Sequence, residues 1–403
     1  MNKKRVVVTG LGVISSIGIG KDQFWNNAVK GHSGISKVDL FDTSEHFTKL
    51  GGEIKNFQPE KFIDRRKLKF YGRASQLSIA ATKMAMEDAN LDARELDSER
   101  VAVFFGTTSG ESQEIESMDK IWLKQGKDNV GLSSILQYPI NNISSNVAID
   151  FKFKGPNRMF TNACAAGNYA IGYGYDVLQS TDIDYVIAGG SDVFSYIVFT
   201  GFNQLGAVAP EKCQPFDKNR KGIIPGEGAG VLLLETLENA RKRRAQVYAE
   251  ILGYGLSCDA YHMTQPNRDG ITACMAAALK ESGIKPEEVD YVCAHGTGTK
   301  ANDKTESEAI NIIFGGRKVA VSSLKSMIGH TMGAASAIEA VTCCLTVKND
   351  IITPTINYET PDAECDIDCV PNKARNQKTD IALNNAFAFG GNNSCLAIKK
   401  YID

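Results

Sequence analysis

The sequence predicts a layered α/β fold, because short aliphatic runs typical of buried strands alternate with helical segments along the whole chain. A chain of 403 residues is too long for one simple core and fits two domains or a duplicated one. A charged helix end at Glu238 to Arg244 marks the predicted boundary, which gives halves of residues 1–244 and 245–403. No sequence repeat of fixed period accompanies this alternation.

Individual elements follow from apolar runs and turn residues. The first is a buried strand at Arg5 to Val8, which we expect to end in a glycine turn at Gly10. Later strands are predicted at Val101 to Phe105, Arg158 to Thr161, Tyr185 to Ala188, Val231 to Leu234, Tyr248 to Leu252, Val289 to Ala294, Val319 to Ser322, Ile381 to Phe387 and Ser394 to Lys399. Helices are predicted at Asp22 to Lys30, Arg73 to Asn90, Tyr169 to Leu178, Ile271 to Glu281 and Gly333 to Val347.

Composition excludes several classes of function. A formal net charge of −2 gives no support for nucleic-acid binding, and no stretch approaches the length of a membrane helix. Ten cysteines lack the spacing of a disulfide framework and no convincing export signal is present, so we expect reduced thiols and a cytoplasmic protein. The glycine-rich segments 10–15 and 226–230 lack the remaining residues of nucleotide-binding motifs, and Cys365 and Cys369 lack further zinc ligands. We therefore expect no cofactor and no metal.

Cys164 is the first candidate catalytic residue. It lies in the small-residue segment 161–167 (TNACAAG), where a predicted strand turns into a helix and a substrate can approach closely. The free N–H groups and the dipole at a helix N-terminus stabilise a thiolate, which favours a nucleophile. A buried core cysteine is the alternative interpretation.

Two histidines change the balance in favour of a catalytic site. Only five histidines are present, and His295 and His330 both lie in glycine-flanked turns at the ends of predicted elements, where catalytic groups collect. One histidine beside a cysteine is typical of hydrolases. Two neutral imidazoles can instead donate hydrogen bonds to one oxygen, such as a thioester carbonyl that becomes an enolate. A Cys–His–His site therefore suits carbon–carbon bond formation from an acyl-cysteine.

Several short motifs follow one another along nearly the whole chain: Val6 to Gly12, the Cys164 segment, Pro215 to Asp217, Gly226 to Gly230, His295 to Thr299, Ser323 to His330 and Phe389 to Asn393. In their order and spacing, the chain resembles the β-ketoacyl-acyl-carrier-protein synthases of the elongating (synthase II) type, which belong to the thiolase superfamily. The resemblance implies a thiolase-like, five-layered α-β-α-β-α fold made of two similar halves.

The resemblance implies an acyltransferase that needs no cofactor. Cys164 accepts an acyl group from acyl-ACP, where ACP is acyl carrier protein. His295 and His330 promote decarboxylation of malonyl-ACP, and the resulting carbanion attacks the acyl-cysteine. The backbone N–H groups of Cys164 and Phe389 correspond to the family's oxyanion hole. The product is a β-ketoacyl-ACP two carbons longer, in fatty-acid or type II polyketide biosynthesis.

Further roles come from the same resemblance. Lys325 matches a buried catalytic lysine, and a cation near His330 keeps that ring neutral. Glu339 matches a supporting glutamate that balances Lys325, with a purely structural ion pair as the alternative. The residues that match the acyl pocket and the gate for malonyl-ACP are Thr108, Phe202, Phe389 and Gly390.

The expected partner is ACP. Carrier proteins are acidic, and the basic segment at residues 61–69 is a candidate docking surface, although a solvated face is the simpler interpretation. Its proposed contacts are Lys61, Arg65, Arg66 and Lys69. The family also implies a homodimer or, in a polyketide or polyene pathway, the catalytic subunit of a heterodimer with a chain-length factor.

Departures from the family pattern leave the pathway open. Asn392 stands where the family usually has threonine, Cys293 where it has asparagine, and Thr108 where elongating enzymes often have an aliphatic residue. These point to a specialised polyketide or unusual fatty-acid pathway. Among rivals, a thiolase needs a second catalytic cysteine, for which Cys395 is poorly placed. A chain-length factor lacks the nucleophile, and a cysteine hydrolase needs only one histidine.

Overall fold

The computed structural model of the chain describes residues 3–402. The strands are β1 (Val6–Ser15), β2 (Gly18–Ile19), β3 (Ser36–Lys37), β4 (Leu50–Gly51), β5 (Val101–Gly106), β6 (Asn157–Phe160), β7 (Tyr185–Asp192), β8 (Gly228–Thr236), β9 (Ala249–Cys258), β10 (Tyr291–Cys293), β11 (Ala320–Ser322), β12 (Ile351–Ile352), β13 (Arg375–Asn376), β14 (Ile381–Phe387) and β15 (Asn392–Lys400). The helices are α1 (Lys21–Val29), α2 (Arg73–Asp88), α3 (Ser112–Gln125), α4 (Leu132–Gln137), α5 (Asn142–Phe151), α6 (Ala166–Ser180), α7 (Tyr196–Gln204), α8 (Leu237–Lys242), α9 (Arg268–Ser282), α10 (Lys300–Ile313), α11 (Lys325–Ile328) and α12 (Ala335–Asn349).

Two half-sheets form the framework. The first has the strand order β6-β5-β7-β8-β1, and the second has the order β9-β15-β14-β10-β11. They join where β1 pairs with β9 in antiparallel register, Val6 opposite Ile251 and Val8 opposite Ala249. Each half-sheet mixes parallel and antiparallel pairs in the same positions, since β5 is parallel to β6 and β7, and β10 is parallel to β11 and β14.

Layers of helices alternate with the two half-sheets, which gives five layers. Helices α2 and α5 cover the outer face of the first half-sheet, and α9, with α10 beside it, covers the outer face of the second. Helices α6 and α12 lie between the two half-sheets, in contact with each other. Every residue of α12 from Ala335 to Val347 is buried, which fits an alanine-rich sequence without a polar face. The predicted layered α/β architecture is confirmed.

The two halves repeat one topology. The first runs β1, α2, β5, β6, α6, β7, β8, and the second runs β9, α9, β10, β11, α12, β14, β15. Each central helix, α6 or α12, therefore follows the third strand of its half. The predicted boundary at residue 244 falls in the connection between α8 and β9. The predicted halves also contain residues 1, 2 and 403, which lie outside the described range.

The expected glycine turn after Val8 is wrong. Strand β1 continues through Gly10 and Gly12 to Ser15 and pairs with β8 along its length, with one register shift between Val8 and Gly10. A Cβ atom at Gly10 would lie 2.1 Å from the carbonyl oxygen of Ala85, and one at Gly12 would lie 1.8 Å from that of Ala81. These glycines thus allow the strand to pack closely against α2. No helix within residues 3–402 is long and apolar enough to cross a membrane.

Candidate active site

Cys164 lies at a sharp turn between β6 and α6. The strand ends at Phe160, and a short 3₁₀ turn at Ala163–Ala165 leads directly into the helix. Ala163 has a φ of 46°, a left-handed backbone conformation that is strained for a residue with a Cβ atom. A strained turn from a strand into a helix is a typical position for a nucleophilic side chain, and Cys164 lies in such a turn.

The second half contains the same turn. A 3₁₀ turn at Met332–Ala334 leads into α12, and its first residue, Met332, has a φ of 52°. Gly333 occupies the position that corresponds to Cys164. A Cβ atom there would lie 2.6 Å from the backbone nitrogen of Thr108 and 2.7 Å from Oδ2 of Asp192. The matching position in the second half thus has no space for a side chain.

The structure brings Cys164, His295 and His330 together. All three are buried, and one thiol or ring-nitrogen atom from each lies within 4.8 Å of the others. The two histidine rings have centroids 5.4 Å apart and planes inclined at 82°. His295 follows the end of β10 as predicted, and His330 lies in the turn between α11 and α12, before the predicted helix of small residues. Cysteine and histidine are also zinc ligands, and the absence of a metal stays a prediction.

One tautomer is fixed by hydrogen bonding. The backbone N–H of Met332 donates to Nδ1 of His330 at 3.1 Å, so the ring proton of the neutral form is on Nε2. The backbone of His330 is also held by hydrogen bonds, because its N–H donates to Ile224 O at 2.7 Å and its carbonyl oxygen accepts from Gly226 N–H at 2.9 Å. His330 is therefore a positioned hydrogen-bond donor.

Both imidazoles are neutral. Burial holds the pKa of His295 and of His330 well below the usual range, and the Lys325 cation lowers each further. Burial alone would lower the pKa of Lys325, but its contact with the Glu339 carboxylate outweighs this and raises the pKa. Both partners of this ion pair are 1% exposed. The buried lysine is thus charged and the histidines are not.

Cys164 differs from the stabilised thiolate expected from its place at a helix start. Burial raises the pKa of the Cys164 thiol to about 12, and the opposing effect of the Lys325 cation does not offset it. The side chain packs against Ala165, Ala386 and Ala388. Desolvation therefore dominates over the helix dipole, and the resting group is a neutral thiol.

A cavity of about 540 Å³ connects the three residues with the surface. Its apolar lining includes Phe202, Leu205, Ile223, Met263, Phe387 and Phe389. The rings of Phe202 and Phe389 have centroids 5.9 Å apart, which places two of the predicted gate residues side by side. Gly390 and Thr108, also predicted for the pocket and gate, do not line this cavity. The backbone N–H of Thr108 instead donates to Oδ2 of Asp192 at 2.7 Å.

The loop that carries Phe389 is attached to a second loop, and sequence analysis missed the residue that joins them. Asp259 donates its N–H to Gly391 O at 2.9 Å, and its carboxylate accepts from Asn393 Nδ2 at 2.6 Å and from the N–H of Asn267 at 3.1 Å. Gly390 N–H also donates to Met263 O at 2.8 Å. No short motif marks Asp259.

The predicted docking segment is an exposed surface. Lys61, Arg65 and Lys69 are exposed and form no ion pair within the described part of the chain. Arg66 forms an ion pair with Asp64 at 2.6 Å. Three uncompensated cations thus remain available on this surface.

A duplicated five-layered fold with a buried thiol and two neutral imidazoles defines a condensing enzyme of the thiolase type. The chain belongs to the β-ketoacyl synthase family. The model of the family's N-terminal domain matches residues 3–240, and that of its C-terminal domain matches residues 248–359. The predictions of the family, of its fold and of a carbon–carbon bond-forming acyltransferase are confirmed.

Curated relatives match over their full length. The 3-oxoacyl-[acyl-carrier-protein] synthase 2 of Synechocystis sp. is 41% identical, covering 100% of this chain and 99% of that protein. The protein of the same name from Coxiella burnetii is 39% identical, covering 100% of both chains.

Solved structures of ketosynthases have the same fold as this chain. The ishigamide ketosynthase/chain length factor superposes with a TM-score of 0.97 at 41% identity, covering 99% of this chain and 100% of that one. A ketosynthase in complex with its type II PKS acyl-carrier protein and bound to the hexaketide superposes with a TM-score of 0.91 at 31% identity, covering 100% of both chains. A thiolase needs a second catalytic cysteine. Among the described residues, Cys164 is the only cysteine that lines the cavity, and Cys395 is fully buried in β15.

Proposed function

We propose that the chain condenses an acyl group on Cys164 with malonyl-ACP to give a β-ketoacyl-ACP two carbons longer. The observation that carries the proposal is the single cavity that holds the Cys164 thiol within 4.8 Å of two neutral imidazoles. The names of the curated relatives, which are 3-oxoacyl-[acyl-carrier-protein] synthases, support ACP as the carrier.

The first half-reaction is a thioester exchange. The Cys164 sulfur attacks the carbonyl of acyl-ACP, the bond to the carrier sulfur breaks, and the cysteine proton goes to the departing carrier thiolate. A neutral imidazole can relay that proton because it is both an acceptor and a donor. The backbone N–H groups of Cys164 and Phe389 are the proposed donors to the carbonyl oxygen during this exchange.

The second half-reaction forms the carbon–carbon bond. Malonyl-ACP loses CO₂, and N–H groups of His295 and His330 stabilise the enolate oxygen. The carbanion attacks the acyl carbonyl, the bond to Cys164 breaks, and the released thiolate takes up one proton from solvent. The raised pKa of Cys164 favours that protonation and restores the resting thiol. Burial, assisted by the Lys325 cation that is paired with Glu339, keeps both rings in the neutral state that donation requires, because both effects lower the histidine pKa values.

Phe389 and Phe202 are the proposed gate, with Gly390 as the flexible neighbour. Gly390 has a φ of 81°, which an L-residue with a side chain rarely adopts, so the loop depends on glycine at this position. Movement of the Phe389 ring away from Phe202 would open the cavity to the second substrate. Thr108 is proposed only for the far end of the acyl pocket, outside the cavity described above.

Intact-protein mass spectrometry after incubation with a panel of acyl-ACPs tests the proposal. We expect a gain of one acyl mass in the native chain and none in Cys164→Ala. The preferred acyl group then distinguishes fatty-acid from polyketide synthesis. A folded protein that takes no acyl group from any carrier contradicts the proposal.

We propose that this enzyme is a homodimer, with a chain-length-factor heterodimer as the second candidate. Large apolar side chains are exposed on α3 and α4, including Leu123 at 87% and Leu132 at 72%. Several exposed apolar side chains on neighbouring helices are typical of an interface. The resemblance to a ketosynthase/chain length factor favours the second candidate. Light scattering of the purified chain decides, since a homodimer gives twice the monomer mass without another subunit.

A further inference from the structure

Two lysines stand at the mouth of the active-site cavity without a counter-charge. Lys221 and Lys300 both line the cavity and both are exposed. Within residues 3–402, neither has a carboxylate oxygen within 4.0 Å of its ammonium group. The neighbouring lysines Lys212 and Lys304, by contrast, are paired with Glu359 and Glu364.

The backbone holds the two lysines next to each other. Gly222 N–H donates to Gly298 O at 2.9 Å, so the segment after Lys221 is bonded to the segment before Lys300. Arg220, the residue before Lys221, donates from Nη2 to Lys300 O at 3.2 Å and from Nε to Thr299 O at 3.3 Å. The juxtaposition of the lysines is therefore built into the fold.

The buried charges behind this pair carry no positive excess. Arg220 is 1% exposed, and its single positive charge contacts two carboxylates, those of Asp303 and Asp362. Asp303, in the first turn of α10, also accepts the N–H groups of Phe216 and Gly298. The unpaired positive charge at this part of the mouth thus comes from the two lysines.

The position of Lys300 also favours an anion. It is the first residue of the 14-residue helix α10, whose N-cap is Thr299. The positive end of the helix dipole disfavours a cation at this position and favours an anion. The rim therefore combines two ammonium groups with a helix N-terminus, beside a cavity that ends at Cys164.

We propose that Lys221 and Lys300 bind the phosphodiester of the phosphopantetheine arm while its thioester lies at Cys164. This proposal rests on the proposed function, because an acyl carrier presents its thioester on such an arm. The arm has a sulfur at one end and an anion at the other. The cavity has a thiol and two imidazoles at its inner end and two free cations at its mouth. A phosphate between the two lysines fixes the arm at its entrance.

The test compares three donors of the same acyl group: acyl-ACP, acyl-phosphopantetheine and acyl-pantetheine, which lacks the phosphate. In Lys221→Gln/Lys300→Gln we expect kcat/KM for acylation of Cys164 to fall about fivefold to twentyfold with the first two donors. We expect less than a twofold change with acyl-pantetheine. The loss should shrink as salt is added, because exposed charges are screened.

A matched control and the opposing outcomes separate the explanations. Lys212→Gln/Lys304→Gln removes two charges nearby without touching the cavity lining, and all three donors should react as in the native chain. An equal loss with acyl-pantetheine, or no loss with any donor, overturns the proposal. A loss with acyl-ACP alone would mean that the lysines contact side chains of the carrier protein rather than the phosphate, and this result also overturns the proposal. Failure of the native chain to take any acyl group contradicts the proposed function instead.

Discussion

The ammonium group of Lys325 contacts the carboxylate of Glu339 inside the protein, and its field reaches both active-site histidines. Buried ion pairs are weak sources of stability because desolvation is costly. This pair has an electrostatic effect on its neighbours instead, since the cation lowers the pKa of His295 and of His330 beyond the effect of burial. The arrangement maintains two neutral donors at physiological pH.

Removal of Lys325 should shift the pH dependence of the decarboxylation rate. The proposed mechanism requires neutral histidines, so the acid limb of the rate should follow their pKa values. Lys325→Met removes a cation that lowers these values, and the acid limb should move to higher pH. The single variant should also lose about 3–5 kcal/mol of stability, because Glu339 is left without a partner.

The double variant Lys325→Met/Glu339→Gln is the control for stability. It replaces the buried, unpaired carboxyl group of Glu339 by a neutral amide and should recover most of the loss in a denaturant titration. Its acid limb should remain displaced relative to the native chain. A well-folded double variant with the native pH profile would show that Lys325 does not act on the histidines.

Alkylation of Cys164 should follow the behaviour of a deeply buried thiol. With a pKa of about 12, the thiolate fraction rises tenfold per pH unit across the range in which the protein is folded. The rate of reaction with iodoacetamide, followed by mass spectrometry at Cys164, should therefore rise with pH without a plateau below pH 10. A plateau near neutral pH would instead support the thiolate expected from the helix N-terminus.

Substitution of Gly333 should disrupt the second turn. In Gly333→Ala the new Cβ would lie 2.6 Å from Thr108 N, and the crowding should cost about 1–3 kcal/mol and displace His330. Gly201→Ala is the control, because nothing lies within 4 Å of a Cβ atom at this exposed helical position. Melting temperature and condensation rate should both fall in the first variant and remain at or slightly above native values in the second.

Asp259→Ala should impair the gate more than the fold. The variant loses the carboxylate that accepts from Asn393, next to the Phe389 loop, and from Asn267, within the second loop. If the poorer positioning of the loop raises the activation free energy by about 1.4 kcal/mol, kcat for condensation falls about tenfold. Asp269→Ala, at an exposed ion pair with Arg268, should leave kcat unchanged. Equal kcat values in the two variants would show that Asp259 does not position the gate loop.

Charge reversal in the docking segment should weaken the binding of ACP. Arg65 is exposed and unpaired, so Arg65→Glu should have the larger effect and Arg66→Glu a smaller one, since Arg66 is already paired with Asp64. Arg94→Glu is a matched control, because Arg94 is equally exposed and forms the same kind of pair with Asp92. Binding is measured by titration at two salt concentrations. Unchanged affinity and salt dependence in the first two variants would contradict docking at this surface.

Short local motifs predicted that Cys164, His295 and His330 belong to one site, because each lies in a turn of small residues that is visible in the sequence. The structure brings the three side chains together, and their catalytic roles stay predictions. The acidity of Cys164 was not predictable, because the side chains that desolvate it, such as Ala386 and Ala388, are distant in sequence. Asp259 was missed for the same reason, since its function depends on contacts with a loop from the end of the chain.

The pair of matching turns has a consequence for how this enzyme originated and how it can be divided. In the proposed reaction, one copy of the repeated unit supplies the nucleophile and the other supplies both hydrogen-bond donors, so each copy has a different part of the chemistry. Neither copy would then be a functional unit. Two polypeptides cut between α8 and β9 should each be inactive, and activity should return only when β1 and β9 pair again.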